Sequence, residues 1–388
     1  MTDLRFVTDT NVQLVDPSAF TPPYDRALAA ALSRAGASVE LLTSRFLHGD
    51  VPPAEGYRVQ ECFYRRSAAR GLDARARLPF KAAEHLADMR RFRRDSARRV
   101  AAGEGPDVVH YQWLTFAPLD AHLLPDLHPR LLTAHYILPP RPSRRQVSSA
   151  RRVYERMDAV VAHSEHSAAR LRDEVGVDPA KVHVIPHGAF DYLTRLPQEQ
   201  PLPAELEGAA GPVILCFGLL RPYKGTEQLL RAFRAVEGAE LWIVGNPRMD
   251  VAPLRALAAE AKGRVRFVTR FVAEAEIPAI FRRADLVVLP YLEAEHSGVL
   301  YTGLAFGKPL LLSAVGGFPE VAATGAARLV PPGDVPALTA ALTELAGDET
   351  ARAELGAAAT RAAAGPFSWD ETARLTLDLY RELTEARS

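Results

Sequence analysis

The chain is poor in cysteine, and it lacks long uninterrupted runs of apolar residues. Only Cys62 and Cys216 occur in 388 residues, which argues against a disulfide framework or a cysteine-rich metal site. No stretch approaches the roughly 18 consecutive apolar residues that favour a membrane-spanning helix. The first residues also lack the basic segment and apolar run of a secretory signal. We therefore expect a cytoplasmic protein.

Several common nucleotide and metal motifs are also missing. The chain has neither a Walker sequence nor a G-x-G-x-x-G after its first predicted strand, so a P-loop or a nicotinamide cofactor is not indicated. It contains neither Asp-x-Asp nor a His/Cys cluster with metal-ligand spacing. We expect the protein to use no cofactor and no essential metal.

The net charge is zero, but the two halves of the chain differ in sign. Residues 1–190 carry 27 Lys and Arg against 22 Asp and Glu, whereas residues 191–388 carry 20 against 25. The basic excess is concentrated in residues 65–99, where apolar residues such as Met89 and Phe92 are interleaved. This segment either docks on anionic lipid or a phosphorylated acceptor, or is an ordinary solvated helix face. The overall neutrality argues against nucleic-acid binding.

Short β-rich runs alternate with helical patterns along the chain, which is typical of parallel α/β architecture. Residues 193–211, LTRLPQEQPLPAELEGAAG, interrupt this alternation with a Pro- and Glu-rich stretch that predicts a linker. The length also favours two domains. We therefore predict an α/β fold of two doubly wound parallel-sheet domains at 1–190 and 212–366, a linker at 191–211, and a final helical segment at 367–388.

The predicted elements are evenly spread over the two halves. In the first half, strands are expected at 5–8, 38–43, 108–112, 131–135, 159–163 and 182–186, with helices at 24–35, about 79–102, 144–157 and 166–175. In the second half, strands are expected at 213–217, 241–244, 265–268, 286–289, 310–312 and 328–330, with helices at 226–236, 251–261, 276–283, 335–346, 351–363 and 369–385.

A glycine and two cations follow the first strand of the second half. The sequence FGLLRPYKGTEQ places Gly218, Arg221 and Lys224 between that strand and a helix that begins near Thr226. The N–H groups of a helix start bind phosphate, and arginine binds it with two parallel hydrogen bonds. The arrangement indicates a diphosphate clamp; the alternative is an ordinary loop with two solvated cations.

A second set of polar groups follows the strand predicted at 286–289. Glu293 and Glu295 lie in a turn, and Ser297-Gly298 opens a short apolar helix. In a parallel sheet these groups and the first loop meet at the carboxyl edge, where open α/β folds bind ligands. Free N–H groups suit a phosphate, and carboxylates suit sugar hydroxyls. The two loops together therefore predict one ligand site.

Several segments occur in an order that is characteristic of one enzyme family. They are DVVHYQW, LLTAHYILPP, VVAHSEHSAARL and VHVIPHG in the first half, and GLLRPYKG, FVAEAEIPAIFRRADLVVLPY, AFGKPLLLSAVGGFPEV and FSWDETARLTLDLYREL in the second. Over nearly its whole length the chain resembles the GT-B-fold retaining glycosyltransferases of family 4, also called group 1. The resemblance implies two Rossmann-like domains facing across a cleft, and a last helix that crosses back to the N-terminal domain.

The resemblance also implies roles for the donor-site residues. Arg221 and Lys224 would hold the donor diphosphate and stabilise the leaving nucleotide as charge develops. The backbone near the start of the short helix would bind the same phosphates, at Gly218, Ser297, Gly298, Val299 and Leu300. The family motif Glu-x7-Glu is altered here, because Ala294 and Thr302 occupy its two positions. Glu295, or else Glu293, would then contact the donor sugar, and Thr302 would contact the ribose.

Further residues are assigned by position along the resembling segments. His135 would face the donor sugar, unless it is only a satisfied histidine at a strand end. Arg270 and Phe271 would lie beside the nucleotide base, although Phe271 is equally a core candidate. For the acceptor, the loop DTNVQLVDPSAFTPPYDR offers Asn11, Gln13 and Tyr24, and the next predicted strand offers His110; for His110 and for His187 a structural role is the stronger alternative.

These features predict a glycosyltransferase that moves a sugar from a nucleotide-diphosphate sugar to an acceptor hydroxyl, with retention and without metal. Two alternatives remain: a nucleotide-sugar epimerase or hydrolase on the same fold, and a non-catalytic partner subunit, which the missing second Glu favours. The expected partners are the nucleotide sugar and a hydroxyl acceptor, with peripheral contact of residues 65–99 at the inner membrane face as a further option. The motifs leave open the donor base, the sugar and the acceptor.

Overall fold

Short apolar segments build two separate parallel sheets. The computed structural model describes residues 10–387 apart from 48, 50, 52, 70–73 and 140; the strand predicted at 5–8 lies outside the described residues. The chain divides into two compact units, residues 1–188 with 369–388, and residues 189–368. Among the described residues, no helix combines the length and apolar character that crossing a bilayer requires.

The first unit contains a seven-stranded parallel sheet in the order β3-β2-β1-β4-β5-β6-β7. Its strands are β1 Asn11–Asp16, β2 Ser38–Ser44, β3 Arg58–Phe63, β4 Val108–Tyr111, β5 Arg130–Thr133, β6 Ala159–Ala162 and β7 Val182–Val184. Its helices are α1 Pro22–Arg34, α2 Arg65–Ala68, α3 Ala74–Ala101, α4 Ala117–Leu123, α5 Arg144–Glu155 and α6 Glu165–Arg170. The last helix of the chain, Trp369–Glu385, also belongs to this unit.

The second unit contains a six-stranded parallel sheet in the order β10-β9-β8-β11-β12-β13. Its strands are β8 Val213–Phe217, β9 Glu240–Val244, β10 Arg264–Val268, β11 Leu286–Leu289, β12 Leu310–Ser313 and β13 Ala327–Val330. Its helices are α7 Thr226–Phe233, α8 Ala252–Ala258, α9 Ile277–Arg283, α10 Gly298–Ala305, α11 Phe318–Ala322, α12 Val335–Gly347 and α13 Glu349–Ala364. The chain's final helix, Trp369–Glu385, is therefore α14.

Strand β1 corrects the sequence analysis, which treated residues 9–26 as one loop. Residues Asn11–Asp16 pair with β2 on one side and β4 on the other, so they form a central strand. Polar Gln13 is tolerated in this buried strand because its Nε2 atom donates to Glu40 at 2.9 Å. Strand β3 was also missed, because the exposed side chains along much of it hide the strand pattern.

The segment predicted as a linker is a packed part of the second unit. It contains two short 3-10 helices, Asp191–Arg195 and Ala204–Leu206, and Leu206 is fully buried. The Arg266 guanidinium donates to the carbonyl of Glu207 at 2.7 Å and pairs with the buried Glu240 carboxylate at 2.6 Å. A single arginine therefore ties this segment to strands β9 and β10.

In each sheet the strand order reverses at one point. The first sheet grows outward in both directions from the β1–β4 pair, and the second from the β8–β11 pair. Loops that leave two such strands go to opposite sides of the sheet and open a crevice between them, where ligands bind in open α/β folds. The loops after β1, β4, β8 and β11 are thus the places to look for functional groups.

Candidate active site

The loop between β8 and α7 is pressed against the end of β11. Gly218 leaves β8, Arg221 follows at the surface, and Pro222–Lys224 form one turn of 3-10 helix. The Tyr223 carbonyl accepts a hydrogen bond from Leu292 N–H at 2.8 Å. A Cβ atom added at Gly225, whose φ is +67°, would collide with the carbonyl oxygen of Pro290. The loop therefore has one position relative to β11.

Lys224 lies at the centre of this site. Its Nζ atom donates to the Tyr291 hydroxyl at 2.7 Å and lies 4.6 Å from the centre of the Tyr291 ring. The Tyr291 hydroxyl is in turn 3.1 Å from Ser297 Oγ. Burial lowers the pKa of Lys224 and raises the pKa of the Tyr291 hydroxyl. The ammonium group is therefore hydrogen-bonded to a neutral hydroxyl, and an anion beside it would favour its charged form.

Sequence analysis missed Tyr291, although it connects Lys224 with the start of α10. Ser297 is the residue before α10, yet its side chain makes no capping bond to the helix. A Cβ atom at Gly218 would lie 3.3 Å from Lys224 Nζ and 3.2 Å from Val299 Cγ2. The glycine, the cation and the first turn of α10 thus converge at the reversal point of the second sheet. The sequence signal for Tyr291 was a tyrosine two positions after an apolar strand.

The first turn of α10 contains the groups that were predicted to bind phosphate. Gly298 is exposed and Ser297 is buried. The N–H group of Leu300 donates to the Ser297 carbonyl at 3.0 Å, and its side chain is buried. The prediction that the Leu300 N–H group binds phosphate is therefore corrected, because this donor already bonds the Ser297 carbonyl. Gly298 and Val299 are the backbone positions that remain candidates.

The two predicted acids lie in the turn between β11 and α10. Glu293 is exposed and Glu295 is half-buried. The backbone carbonyl of Glu295 accepts a hydrogen bond from Gly317 N–H at 3.0 Å, which joins this turn to the loop after β12. The structure therefore brings the acidic turn and the Gly316-Gly317 loop together, next to the start of α10. Their contact with a sugar stays a prediction.

The position of the missing second acid has a polar side chain that faces its own helix. Thr302 is buried, and its hydroxyl donates to the Gly298 carbonyl at 2.9 Å. The hydroxyl proton of Thr302 is thus used, so a ribose hydroxyl would have to donate its own proton to Thr302 Oγ1.

The two residues that were predicted to lie beside the nucleotide base are placed differently. Arg270 makes two hydrogen bonds to the Glu276 carboxylate at 2.6 and 2.9 Å. Phe271 is 57% exposed, which rules out the core alternative for this ring.

In the first unit, aromatic rings and histidines gather beyond the ends of β4, β5, β6 and β7. His135 stacks on Trp113 with ring centres 5.1 Å apart and touches the edge of Tyr24 at 4.6 Å. Tyr24 also packs against His187 and Trp369. His135 is buried, and so is Tyr24, which lies inside this aromatic cluster rather than on an open loop. The prediction that the Tyr24 side chain contacts the acceptor directly is therefore corrected.

Three other predicted acceptor residues are placed elsewhere by the fold. Asn11 lies at the amino end of β1, away from the carboxyl edge, and its N–H donates to Asp107. Gln13 is buried within the same strand. His110 is buried with one ring nitrogen 2.7 Å from the Tyr380 hydroxyl and the other 2.8 Å from Thr133 Oγ1. Gln13 and His110 are structural because their side chains are buried in the protein, whereas Asn11 is exposed but lies at the opposite edge of the sheet.

The buried histidines predict an acid-sensitive fold. Burial lowers the pKa of His110 to about 3 and that of His163 to about 4, against 6.5 ordinarily. At pH values between the lowered pKa and 6.5, the unfolded chain binds more protons than the folded chain. The free energy of unfolding should therefore fall as the pH drops below 6.5. His110→Gln should flatten this fall by up to about 1.4 kcal/mol per pH unit. Urea denaturation at several pH values between about 7 and 4 measures the free energy of unfolding of both proteins.

Titrating groups that do not interact with His110 cancel when the two pH profiles are subtracted, because His110→Gln leaves them in place. His163 interacts with His110 and titrates in the same pH range, so its change is part of the difference. The difference between the profiles should therefore be confined to the range below pH 6.5 in which His110 would titrate. Parallel profiles for the two proteins would contradict the assignment of His110 as a neutral buried histidine.

The basic segment 65–99 is partly used within the first unit. Arg91 pairs with the buried Asp88 at 2.7 Å, and Arg99 pairs with the buried Glu40 at 2.7 Å. Met89 and Phe92 are buried in the core of this unit. The Arg99–Glu40 pair and the two buried apolar side chains hold α3 on the sheet, and both ion pairs explain part of the basic excess. Membrane contact through the remaining exposed arginines stays a prediction.

Comparisons with known proteins agree with the division of the chain into two units. Residues 26–189 match the family described as Glycosyltransferase Family 4, and residues 211–348 match the one described as Glycosyl transferases group 1. The D-inositol 3-phosphate glycosyltransferase of Kineococcus radiotolerans is 28% identical, over 93% of this chain and 90% of its own. That of Rhodococcus erythropolis is 28% identical, over 91% and 84%.

Solved structures give the same fold. Sucrose-phosphate synthase from Thermosynechococcus elongatus matches with a TM-score of 0.71 and 20% identity, covering 98% of this chain and all of the other. Anabaena HepE in complex with UDP matches with a TM-score of 0.69 and 18% identity, covering 96% and 100%. The fold is thus GT-B, with two Rossmann-like domains, and the chain belongs to family 4 of the glycosyltransferases and is a glycosyltransferase.

Proposed function

We propose that this enzyme transfers a sugar from a nucleotide-diphosphate sugar, bound by the second unit, to a hydroxyl group of an acceptor. The observation that carries this proposal is the position of Lys224, a largely buried cation at the reversal point of a parallel sheet. The exposed Arg221 lies on the same loop as Lys224, after β8, and α10 begins at the end of the loop after β11. Cations and free helix N–H groups at such a point suit a diphosphate.

The same groups would act in the chemical step. Negative charge develops on the leaving nucleoside diphosphate as the bond to the sugar breaks, and Lys224 and Arg221 would stabilise it. The two cations and the N–H groups of Gly298 and Val299 would neutralise the negative charge of the diphosphate, as a divalent metal ion would otherwise do. We therefore propose that transfer is independent of metal, so that activity should persist in EDTA.

We further propose that the sugar is transferred with retention of its anomeric configuration. Glu295 would hydrogen-bond the donor sugar from the turn that joins β11 to α10, and a contact of His135 with the sugar stays a prediction. Neither the sequence nor the site offers an obvious protein nucleophile, which fits a front-face attack assisted by the leaving phosphate. Inverted product, seen by NMR of the fresh anomeric centre, would refute this step.

Relatives suggest the first substrates to test. HepE has been solved with UDP and with UDP-glucose, and a mannosyltransferase relative is described as dependent on GDP-mannose. Several relatives are described as D-inositol 3-phosphate glycosyltransferases. We therefore take UDP-glucose and GDP-mannose as donor probes and D-inositol 3-phosphate as the acceptor probe.

Thermal denaturation with UDP, GDP, TDP and ADP should show one nucleotide that raises the melting temperature selectively. A ligand that binds only the folded state stabilises it by about 2.7 kcal/mol at 100 times its Kd. Transfer from the donor that carries the selected base should then depend on the acceptor. Turnover of the donor at the same rate without acceptor would indicate a hydrolase instead, and a chain that no nucleoside diphosphate stabilises would contradict the proposal.

A further inference from the structure

A chain of polar side chains crosses the interior of the first unit and ends at its carboxyl edge. Asp120 on α4 pairs with Nε2 of His85, and Nδ1 of His85 lies 2.6 Å from the Tyr64 hydroxyl. Tyr64 donates to Thr115 Oγ1 at 3.0 Å, and the hydroxyls of Thr115 and Ser18 are 2.6 Å apart. His85 and Asp120 are fully buried, whereas Ser18 and Thr115 are half-buried.

The outer end of this polar chain lies where a ligand is expected. Ser18 follows β1 and Thr115 follows β4, so their hydroxyls bridge the two strands at which the first sheet reverses its order. Beside them Phe20, which is 52% exposed, packs on Trp113 with ring centres 5.2 Å apart. Binding sites for small molecules combine such aromatic surfaces with a few fixed polar groups.

Gln112, the residue directly after β4, gives independent support for a polar ligand near this strand end. Its side chain is fully buried, and within the part of the chain that the structure describes neither amide atom has a hydrogen-bond partner. Leaving a buried amide unsatisfied is costly, and such groups cluster where a ligand or an ion completes the bonding.

The direction of the protons along the chain follows from counting them. Tyr64 has one hydroxyl proton and donates it to Thr115, so its contact with His85 must use a proton on Nδ1. Nε2 of His85 faces a carboxylate, which only accepts, so it also carries a proton. With this direction of donation both ring nitrogens of His85 carry a proton, and the carboxylate of Asp120 faces the resulting cation.

We propose that the His85–Asp120 ion pair is a positioning device that directs the hydroxyl protons outward, so that Ser18 and Thr115 donate a hydrogen bond to an oxygen atom of the acceptor, a polyhydroxylated molecule. These two hydroxyls have two protons, and one is used between them. The other is left for the ligand. If Tyr64 donated inward to His85, Thr115 would donate to Tyr64 and Ser18 to Thr115, and no proton would remain. The inference rests on the proposed function of this unit in acceptor binding.

The protonation of His85 can be measured without any substrate. In protein labelled with ¹⁵N-histidine, two-dimensional spectra at neutral pH report whether each ring nitrogen carries a proton, and the His85→Gln variant identifies the signals. Both nitrogens of His85 should be protonated. A neutral ring with an unprotonated Nδ1 would overturn the proposal, because Tyr64 would then donate inward.

The role in acceptor binding is tested with Tyr64→Phe and Ser18→Ala, using D-inositol 3-phosphate as acceptor and the nucleotide sugar that supports transfer. Ser18→Ala removes one of the two outer hydroxyls and should raise KM for the acceptor about 3- to 10-fold, the size expected for one neutral hydrogen bond. Tyr64→Phe keeps both outer hydroxyls but no longer fixes the direction of their protons, so it should raise KM for the acceptor by a smaller factor. KM for the donor and the nucleotide-induced melting shift should not change. Tyr64→Phe keeps the aromatic ring and removes only the hydroxyl.

The matched control is Tyr111→Phe, which removes a buried hydroxyl without a partner among the described residues, four residues before Thr115. It should leave both KM values unchanged. An acceptor KM that is unaltered in Tyr64→Phe, or raised equally in Tyr111→Phe, would refute the positioning role. If the wild-type enzyme transfers no sugar at all, the proposed function fails, while the NMR measurement still decides the direction of the chain.

Discussion

Replacing Lys224 by alanine should lower kcat/KM by about 10²- to 10³-fold, the range found when one preorganised group that stabilises transition-state charge is removed. The ammonium group is held by Tyr291 at 2.7 Å and lies at the reversal point of the second sheet. The variant should also lose most of the nucleotide-induced rise in melting temperature. Steady-state kinetics and thermal denaturation with and without nucleotide measure both effects.

The free Lys224→Ala protein should melt at the same temperature as the wild type or higher, because burial of the cation lowers its pKa and therefore opposes its charged state. Lys262→Ala is the matched control in the same unit. Lys262 forms a surface ion pair with Glu237 at 2.6 Å, and such exposed pairs add little to stability. Nucleotide binding that survives in Lys224→Ala would show that the phosphates lie elsewhere.

Arg221→Ala should weaken the same step, but its effect separates the two cations. Arg221 is exposed in the loop, so its substitution leaves no buried hydrogen-bond partner. An effect on nucleotide affinity that is smaller than that of Lys224→Ala would fit a peripheral contact with the diphosphate.

The second sheet was well predicted because its strands are short apolar runs bounded by glycine, proline and charge. Strands β8 and β11 have the residues that the sequence indicated, 213–217 and 286–289. Fully buried parallel strands have this pattern, since both of their faces are covered. The carboxyl ends of the strands, and with them the loops of the candidate site, could therefore be located from the sequence.

Strand β1 was missed for the opposite reason. Its buried Gln13 reads as a loop residue, and only the pairing with Glu40, 27 positions later, explains it. His110 was assigned to the acceptor for a related reason. Its partner is Tyr380, 270 positions away, and no local pattern predicts such a contact. Polar residues inside a core are recognisable only when the fold supplies their partners.

The candidate donor site was half predictable. Arg221 and Lys224 stand out as cations beside a glycine and a helix start, so chemistry alone identifies them. Tyr291 does not, because its function depends on a 2.7 Å contact between the loops after two different strands. Thr302 shows a further limit of pattern reasoning, since its hydroxyl donates to its own helix at Gly298 and only the register of the family motif connects it with a ribose.

Gly225→Ala should be among the most damaging single-methyl substitutions in the second unit. At φ +67° the new Cβ would collide with the backbone carbonyl of Pro290, and backbone cannot move aside as a flexible side chain can. The loop would have to shift away from β11 and carry Lys224 with it. We expect a loss of roughly 3 kcal/mol or more in the free energy of unfolding, together with most of the activity.

Gly238→Ala isolates the cause, because Gly238 has nearly the same backbone conformation, φ +73°, with nothing within 4 Å of an added Cβ. This control should lose only the cost of a left-handed alanine, about 1–2 kcal/mol. Urea denaturation gives both values, and the nucleotide-induced melting shift should persist in Gly238→Ala and disappear in Gly225→Ala. Equal losses in the two variants would mean that backbone conformation alone matters. The contact between the loop and β11 would then have no part in holding Lys224 in place.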